Sequence, residues 1–246
     1  MKKVQPANLS ELEPAGMAPP TAGLQQRKSS ETRVAILDAA VECLAKYGYA
    51  RTTTQLIAKI ANVSRGAMLH HYATKQDLIE SVIDYAFFRH MEGFSAAVQS
   101  LTEVQRTREN AGILMDWSLY LSREYKAYLE LNVAARTDED LRAMFIPKAQ
   151  RHDRVWSEEL VRNFPEWAED QERLARSHRL VQSVMSGMVL NRDIWDDPAM
   201  EETLLAFLAS VLLKVRDGSL TFASPSGPKK PRVARPRKTV ARTAAA

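Results

Sequence analysis

Between Thr52 and Leu78 the chain reads TTTQLIAKIANVSRGAMLHHYATKQDL, and few folds accept that order of residues. Ile57, Ala58 and Ile60 give one short helix an apolar face. Ala61-Asn62-Val63-Ser64 leaves room only for a corner. A second helix is expected from Arg65 to about Tyr72, with Ser64 at its N-cap, where a hydroxyl accepts from the free N–H of Gly66 or Ala67. Thr74-Lys75-Gln76-Asp77 then forms a Thr-x-x-acid box that opens a third, long helix. Two short helices joined by a tight corner make a helix-turn-helix, whose second helix enters the major groove of DNA.

The charge distribution agrees with a polyanionic partner for this stretch. Residues 27–75 hold eight basic and three acidic groups, whereas residues 76–223 hold seventeen basic and twenty-five acidic. Residues 224–246 hold seven basic groups and no acidic one. A polyanion is drawn to the first and last of these and repelled by the middle. A basic tail also serves plain solubility.

Flanking helices complete the unit. Ser29 or Ser30 is placed to cap a first helix in which Ile36, Ala40, Cys43 and Tyr47 share a face with Leu37 and Leu44. Gly48 stands where a helix end wants a left-handed residue. Thr52 or Thr53 caps the next helix, and Thr52 with Gln55 makes a capping box. The single cysteine, Cys43, falls on the buried stripe and excludes an internal disulfide. Scarce Gly and rare Val–Thr alternation argue against a sheet. No window approaches the roughly 18 apolar residues of a membrane span, and the N-terminus has no apolar run behind its lysines. A soluble, cytoplasmic, all-α protein is the economical expectation, with no membrane partner and no cofactor.

The segment from Ile36 to Leu78 resembles the DNA-binding domain of the TetR family of bacterial transcription regulators. The resemblance is carried by Ile36-Leu37, Ala40, Gly48, Thr53, Ile57-Ala58, Val63-Ser64, Gly66, His71-Tyr72, Lys75 and Leu78. It implies a homodimer, a C-terminal helical ligand-binding and dimerisation domain, and repression relieved by a small-molecule effector. Two positions depart from the pattern. Asn62 replaces the usual Gly of the corner, and Asn tolerates left-handed backbone. Leu69 replaces a Tyr that commonly touches the DNA backbone, leaving His70 to supply polarity there.

Carried over by position, the residues expected at DNA are Thr53, Gln55, Arg65, Gly66, Ala67, Leu69, His70, His71 and Lys75. Arg65 has the planar fork that reads guanine, and Ala67 suits a thymine methyl. Thr53, His71 and Lys75 fit phosphates, which set register rather than sequence. Gln55 either joins them or caps its own helix. His70 and His71 point apart as helix neighbours and have no third ligand near, so no metal is expected.

From Phe88 to Leu213 helix follows helix. Asp138 and Asp197-Pro198 are start signals. The segments 180–190 and 204–215 are each too apolar for one neighbour, and the resemblance makes them a four-helix dimer interface. It also places an effector site in the middle region, for which Trp117, Tyr120, Tyr128, Asn132, His152, Trp156, His178 and Met185 are the candidates. Aromatics and Met at helical spacing serve a core equally well. The expected organisation is a disordered segment 1–28, a helix-turn-helix domain 29–87, a helical effector and dimerisation domain 88–218, and a disordered basic tail 219–246. The tail either adds non-specific affinity or reaches a minor groove.

The function expected is a dimeric regulator that binds a palindromic operator in double-stranded DNA, a repressor released by an unidentified effector. An alternative is a DNA-organising protein without an effector. No HExxH, phosphate loop or nucleophile elbow suggests an enzyme, and no catalytic residue is assigned.

Overall fold

A computed structural model describes residues 9–13, 23–102, 104–105, 111–164 and 170–222. Among them every regular element is helical, and nine are α-helices. These are α1 (Leu24–Tyr47), α2 (Thr54–Ile60), α3 (Arg65–His71), α4 (Lys75–Ser100), α5 (Ala111–Tyr120), α6 (Arg123–Ala134), α7 (Glu139–Asn163), α8 (Gln171–Trp195) and α9 (Pro198–Arg216). Among the described residues no helix is long and apolar enough to cross a membrane.

Local chemistry sets most of the boundaries. Asp138 Oδ1 accepts from Leu141 N at 2.8 Å and Asp197 Oδ1 from Met200 N at 3.0 Å, with Pro198 in the first turn of α9. A side-chain cap of this kind is worth about 1 kcal/mol. Thr74 and Asp77 close a full capping box, each side chain taking the other's backbone N–H at 3.0 Å. Gly48 ends α1 at φ 78°, and an added Cβ there would meet Glu130 Oε1 at 3.0 Å. Both the backbone angle and the close approach require glycine.

Two starts differ from the sequence reading. Helix α1 begins at Leu24, with Gly23 at its N-cap and no side-chain cap, rather than at Ser29 or Ser30. Leu24-Gln25-Gln26-Arg27-Lys28 are good helix formers with no breaker among them, so propagation overrides the internal serines. At α2, Thr53 is the cap, while Thr52 is buried and donates to Gly48 O at 2.8 Å. The Thr52–Gln55 capping box therefore does not form.

Residues 9–13, expected to be disordered, are ordered. A 3-10 turn at Leu9–Leu12 buries Leu12 to 2% exposure beside Phe88 and Phe94 of α4. The rest of the expected N-terminal disordered segment up to residue 22, and the basic tail from residue 223, lie outside the described residues.

Three apolar clusters hold the helices. The first gathers Ile36, Leu37 and Leu44 of α1, Ile57 of α2, Met68 of α3 and Leu78 to Ala86 of α4, and adds Ala127 and Leu131 of α6 with Phe145 of α7. The second joins the later half of α4, from Phe87 to Val98, to Val155, Trp156 and Leu160 of α7 and Leu174 of α8. The third joins Trp117 and Tyr120 of α5, Tyr125 and Leu129 of α6, Val181, Met185 and Met188 of α8, and Leu205 and Leu208 of α9. Each fully buried Ile or Leu contributes about 1.5–3 kcal/mol. The expected domain limit at residues 87–88 falls inside α4, and α6 contributes to both the first cluster and the third.

Candidate nucleic-acid interface and interior cavity

Helix α3 is short and held by its ends. Ser64 Oγ accepts from Ala67 N at 3.1 Å, and Asn62 turns the corner at φ 53°. Met68 and Tyr72 are buried, which fixes the helix on α1 and α4 and turns the other face outward. Arg65, Gly66 and His70 on that face are exposed, and Leu69 is 48% exposed. Ala67 and His71 are half-buried at the margin.

On α2, Gln55 is exposed, and Thr53 Oγ1 accepts from Leu56 N at 3.2 Å. That bond leaves the Thr53 hydroxyl proton free to donate. The rings of His70 and His71 meet edge to face at 5.4 Å, closer than neighbours on a helix were expected to come. Among the described residues, no group of three or more His, Cys, Asp or Glu side chains is placed to hold a metal.

Lys75 differs from expectation. Its ammonium donates to Tyr49 O at 3.2 Å and lies 4.3 Å from the centre of the Tyr49 ring. Burial lowers its pKa below the usual lysine value. The side chain therefore staples the start of α4 to the loop after α1. Two ammonium protons remain for a phosphate. His71 is also held below the ordinary histidine pKa, by burial first and then by Arg33 and His70, which favours the neutral imidazole.

The middle of the chain holds a cavity of about 670 Å³ that opens to the surface. Six of the expected residues line it: Tyr120, Tyr128, Asn132, His152, Trp156 and His178. Trp117 and Met185 do not. Both sit in the third core cluster, where Trp117 Nε1 donates to Glu201 Oε1 at 2.7 Å and Met185 is fully buried against α9 neighbours. Among the further lining residues, which the sequence did not single out, are Phe87 and His90 of α4 and Tyr125 of α6.

Stacked rings build the walls. Trp156 lies between His90 and His178, with centroid distances of 5.5 and 4.9 Å and planes within 16° and 23°. Phe87 stacks on His152 at 4.1 Å and 5°. Burial keeps the imidazoles neutral: His90 falls to about 4, and His178 to about 3 with help from Arg179. His152 is lowered by burial against an opposing pull from Asp84. Asp84 itself is held below the usual carboxylate range by its hydrogen bonds to His152 and Lys148, which outweigh its burial.

Helix α6 faces both regions. Tyr125 and Tyr128 line the cavity, while Arg123 donates to Asp38 Oδ1 of α1 at 2.9 Å and Glu130 Oε1 accepts from Tyr49 N at 2.7 Å.

A family model described as bacterial regulatory proteins, tetR family, matches residues 36–82. Over 136 residues the chain is 30% identical to the HTH-type transcriptional repressor AcnR of Corynebacterium glutamicum, covering 55% of this chain and 68% of that one. Over 193 residues it is 27% identical to an uncharacterized HTH-type transcriptional regulator of Mycobacterium tuberculosis, covering 76% of this chain and 96% of that one. A solved regulator from Rhodococcus sp. has the same fold, with a TM-score of 0.56 at 23% identity over 78% of this chain and 100% of that chain.

Proposed function

We propose, since this chain belongs to the TetR family of bacterial regulatory proteins, that it is a dimeric repressor which leaves its operator when a small molecule fills the interior cavity. That it is a helix-turn-helix transcriptional regulator follows from the family. The repressor, the dimer and the effector are our reading. Relatives of this kind include a named repressor, and regulators of the family bind DNA and form dimers.

The observation that carries the reading is the double attachment of α6. Arg123 and Glu130 stand seven positions apart, about two turns of α6. Within that span the helix touches the cavity through Tyr125 and Tyr128 and the DNA-binding unit through Arg123 and Glu130. A ligand that pushes the two tyrosines outward moves the two tethers with them. A packed helix of this length shifts as a body, because its core neighbours do not deform continuously. The tethers end on α1 and on the loop after it, which support α3.

For the dimer, the apolar surface of α8 and α9 divides in two. Val181, Met185, Met188, Leu205 and Leu208, expected at the subunit interface, are buried within the chain. An outward stripe remains: Leu190 and Ile194 on α8, Met200 and Phe207 on α9, with Ile194 77% and Phe207 67% exposed. A second copy covering that stripe gives the paired α3 helices that half-sites about 34–36 Å apart require. Arg65 reads a base edge in this scheme, and Thr53, His71 and Lys75 hold phosphates.

Selection of bound duplexes from a random library by the purified full chain tests the DNA part. An inverted repeat with half-sites one helical turn apart is expected. Enrichment of a single, unrepeated site, or of none, refutes the dimeric operator reading. The DNA-organising alternative draws on a tail outside the described residues, and a cavity tethered to the DNA-binding unit has no use in it.

A further inference from the structure

The ligand's chemistry can be read from what the cavity walls leave undone. The walls are built of rings in nearly parallel stacks, Phe87 on His152 and Trp156 between His90 and His178. Parallel faces extend naturally by one more flat ring, since aromatic groups gain beyond plain burial when they stack with an offset. A volume of about 670 Å³ admits such a molecule in the size range of ordinary small-ligand sites.

Several polar groups on the lining already pair with one another or with neighbours. His152 uses both nitrogens, Nε2 at 2.8 Å from Asp84 and Nδ1 at 3.2 Å from the Tyr128 hydroxyl. His178 Nδ1 takes the Trp156 N–H at 2.8 Å. The Tyr125 hydroxyl is 2.6 Å from Ser186 Oγ. His90 is different: it lines the cavity, it is buried, and its Nδ1 has no hydrogen-bond partner among the described residues. A buried polar atom left alone costs about 1–3 kcal/mol, so a group that satisfies it gains correspondingly.

Formal charge finds no counterpart inside. Asp84 is matched by Lys148 and His152, and Asp153 on the lining by Arg179 at 3.0 Å. Arg154, exposed at the mouth, faces water. Asp116, the other buried acid of this region, is not on the lining. Ring faces do attract cations, but a cation here sheds its water and meets no unmatched carboxylate in return.

We propose that the cavity takes an uncharged, flat aromatic molecule with one hydrogen-bonding group, its ring set among the aromatic rings of the lining and that group set on His90. The inference rests on the reading of this cavity as the effector site and names the effector's chemical class.

Four naphthalene probes of one shape test it by calorimetric titration of the full chain near neutral pH. 2-Naphthol is uncharged with a hydroxyl, 2-methylnaphthalene is uncharged without one, 2-naphthoate is an anion and 2-naphthylmethylammonium a cation. We expect 2-naphthol to bind about tenfold or more tightly than either ion, a gap of about 1.4 kcal/mol or more. It should also outbind 2-methylnaphthalene by several fold. His90→Phe should erase the hydroxyl-over-methyl preference and keep the discrimination against ions. His90→Gln, which retains a hydrogen-bonding side chain, should restore part of the preference.

An ion that binds as tightly as 2-naphthol overturns the proposal. So does silence from all four probes at their solubility limits, or an unchanged preference in a folded His90→Phe chain. Should neither variant fold, the ranking of the four probes on the natural chain decides alone. A parallel titration with the selected duplex separates this from the broader reading. If 2-naphthol binds yet never weakens DNA affinity, the effector reading fails while the ligand class stands. If a charged compound releases DNA and 2-naphthol does not bind, the ligand class fails and the effector reading stands.

Discussion

Asp116 offers the sharpest test of the interior, because a buried acid without a partner must show itself in the pH dependence of stability. It lies on α5, its Oδ1 has no hydrogen-bond partner among the described residues, and burial raises its pKa from 3.8 to about 7. The folded chain thus holds the proton more tightly than the unfolded chain does. Stability from this group is full below the ordinary aspartate value and is lost as pH rises toward about 7. At about 1.4 kcal/mol for each pH unit, the loss is at most about 4 kcal/mol. That is a large part of the roughly 5–15 kcal/mol a domain possesses.

Asp116→Asn keeps the volume and removes the titration. Urea unfolding followed by circular dichroism, repeated from about pH 5 to about pH 8, measures both chains. The variant should already be about 1–2 kcal/mol more stable than the parent near pH 5, and the gap should widen to about 4 kcal/mol near pH 8. His90 and His178, with pKa values pushed down to about 4 and about 3, act with the opposite sign. Their stabilisation is present above the ordinary histidine value and fades as pH falls. Both chains share that effect, so it cancels in the difference. Curves that stay parallel across the whole range would show that the Asp116 carboxyl reaches water or a partner, and the argument from its burial would fall.

Three further outcomes are expected. Arg65→Ala should lower affinity for the selected duplex by about 1–3 kcal/mol while barely changing affinity for random DNA; equal losses on both in a gel-shift titration would make Arg65 a phosphate contact. Phe207→Glu puts a charge into the outward stripe of α9, where the phenyl ring is 67% exposed, and should yield folded monomers in sedimentation at micromolar concentration; an intact dimer would move the interface elsewhere. Glu130→Ala removes a charge-assisted bond to Tyr49 N, so unfolding should cost about 1.5–3 kcal/mol less, and the factor by which ligand weakens DNA binding should shrink; an undiminished factor would take α6 out of the coupling.

What the sequence shows and what it hides follow from the range of the forces involved. The cap at Ser64, the box at Thr74 and Asp77, the starts at Asp138 and Asp197 and the left-handed Asn62 are settled within four residues of chain, so they are legible there. The outward face of α3 is legible for the same reason: Met68 and Tyr72 are apolar at helical spacing, and the residues between them have nowhere to go but out. The cavity is another matter. Trp117 and Tyr120 share a helix and an apolar character, yet only Tyr120 lines the space. Which of them does depends on where α8 and α9 cross α5, and no local pattern encodes that crossing. His90 carried no signal at all, since a histidine inside an apolar run reads as a core residue until its neighbours are known. Lys75 was read from its position at a helix start. Its attachment to Tyr49, twenty-six residues upstream, belongs to tertiary structure.

The same distinction explains why α6 is central and yet inconspicuous. It has twelve residues and no motif. Its importance lies in how many neighbours its buried side chains join. Ala127 and Leu131 pack into the cluster beneath α1–α3, Tyr125 and Leu129 into the cluster shared with α8 and α9, and Tyr128 reaches the cavity. A helix packed into two core clusters and against the cavity moves only if those neighbours move with it. Coupling between the cavity and α3 then needs no chain of relayed contacts, only two arrangements of one helix and a ligand that fits one of them better. By linkage, whatever DNA affinity the ligand removes, DNA must remove from the ligand's own affinity in equal measure. Titrating the ligand with and without duplex must return the same factor as titrating duplex with and without ligand, and Glu130→Ala must reduce both factors together. Unequal reductions would mean that the side chain acts on one site alone, and that the two regions communicate through α4 instead.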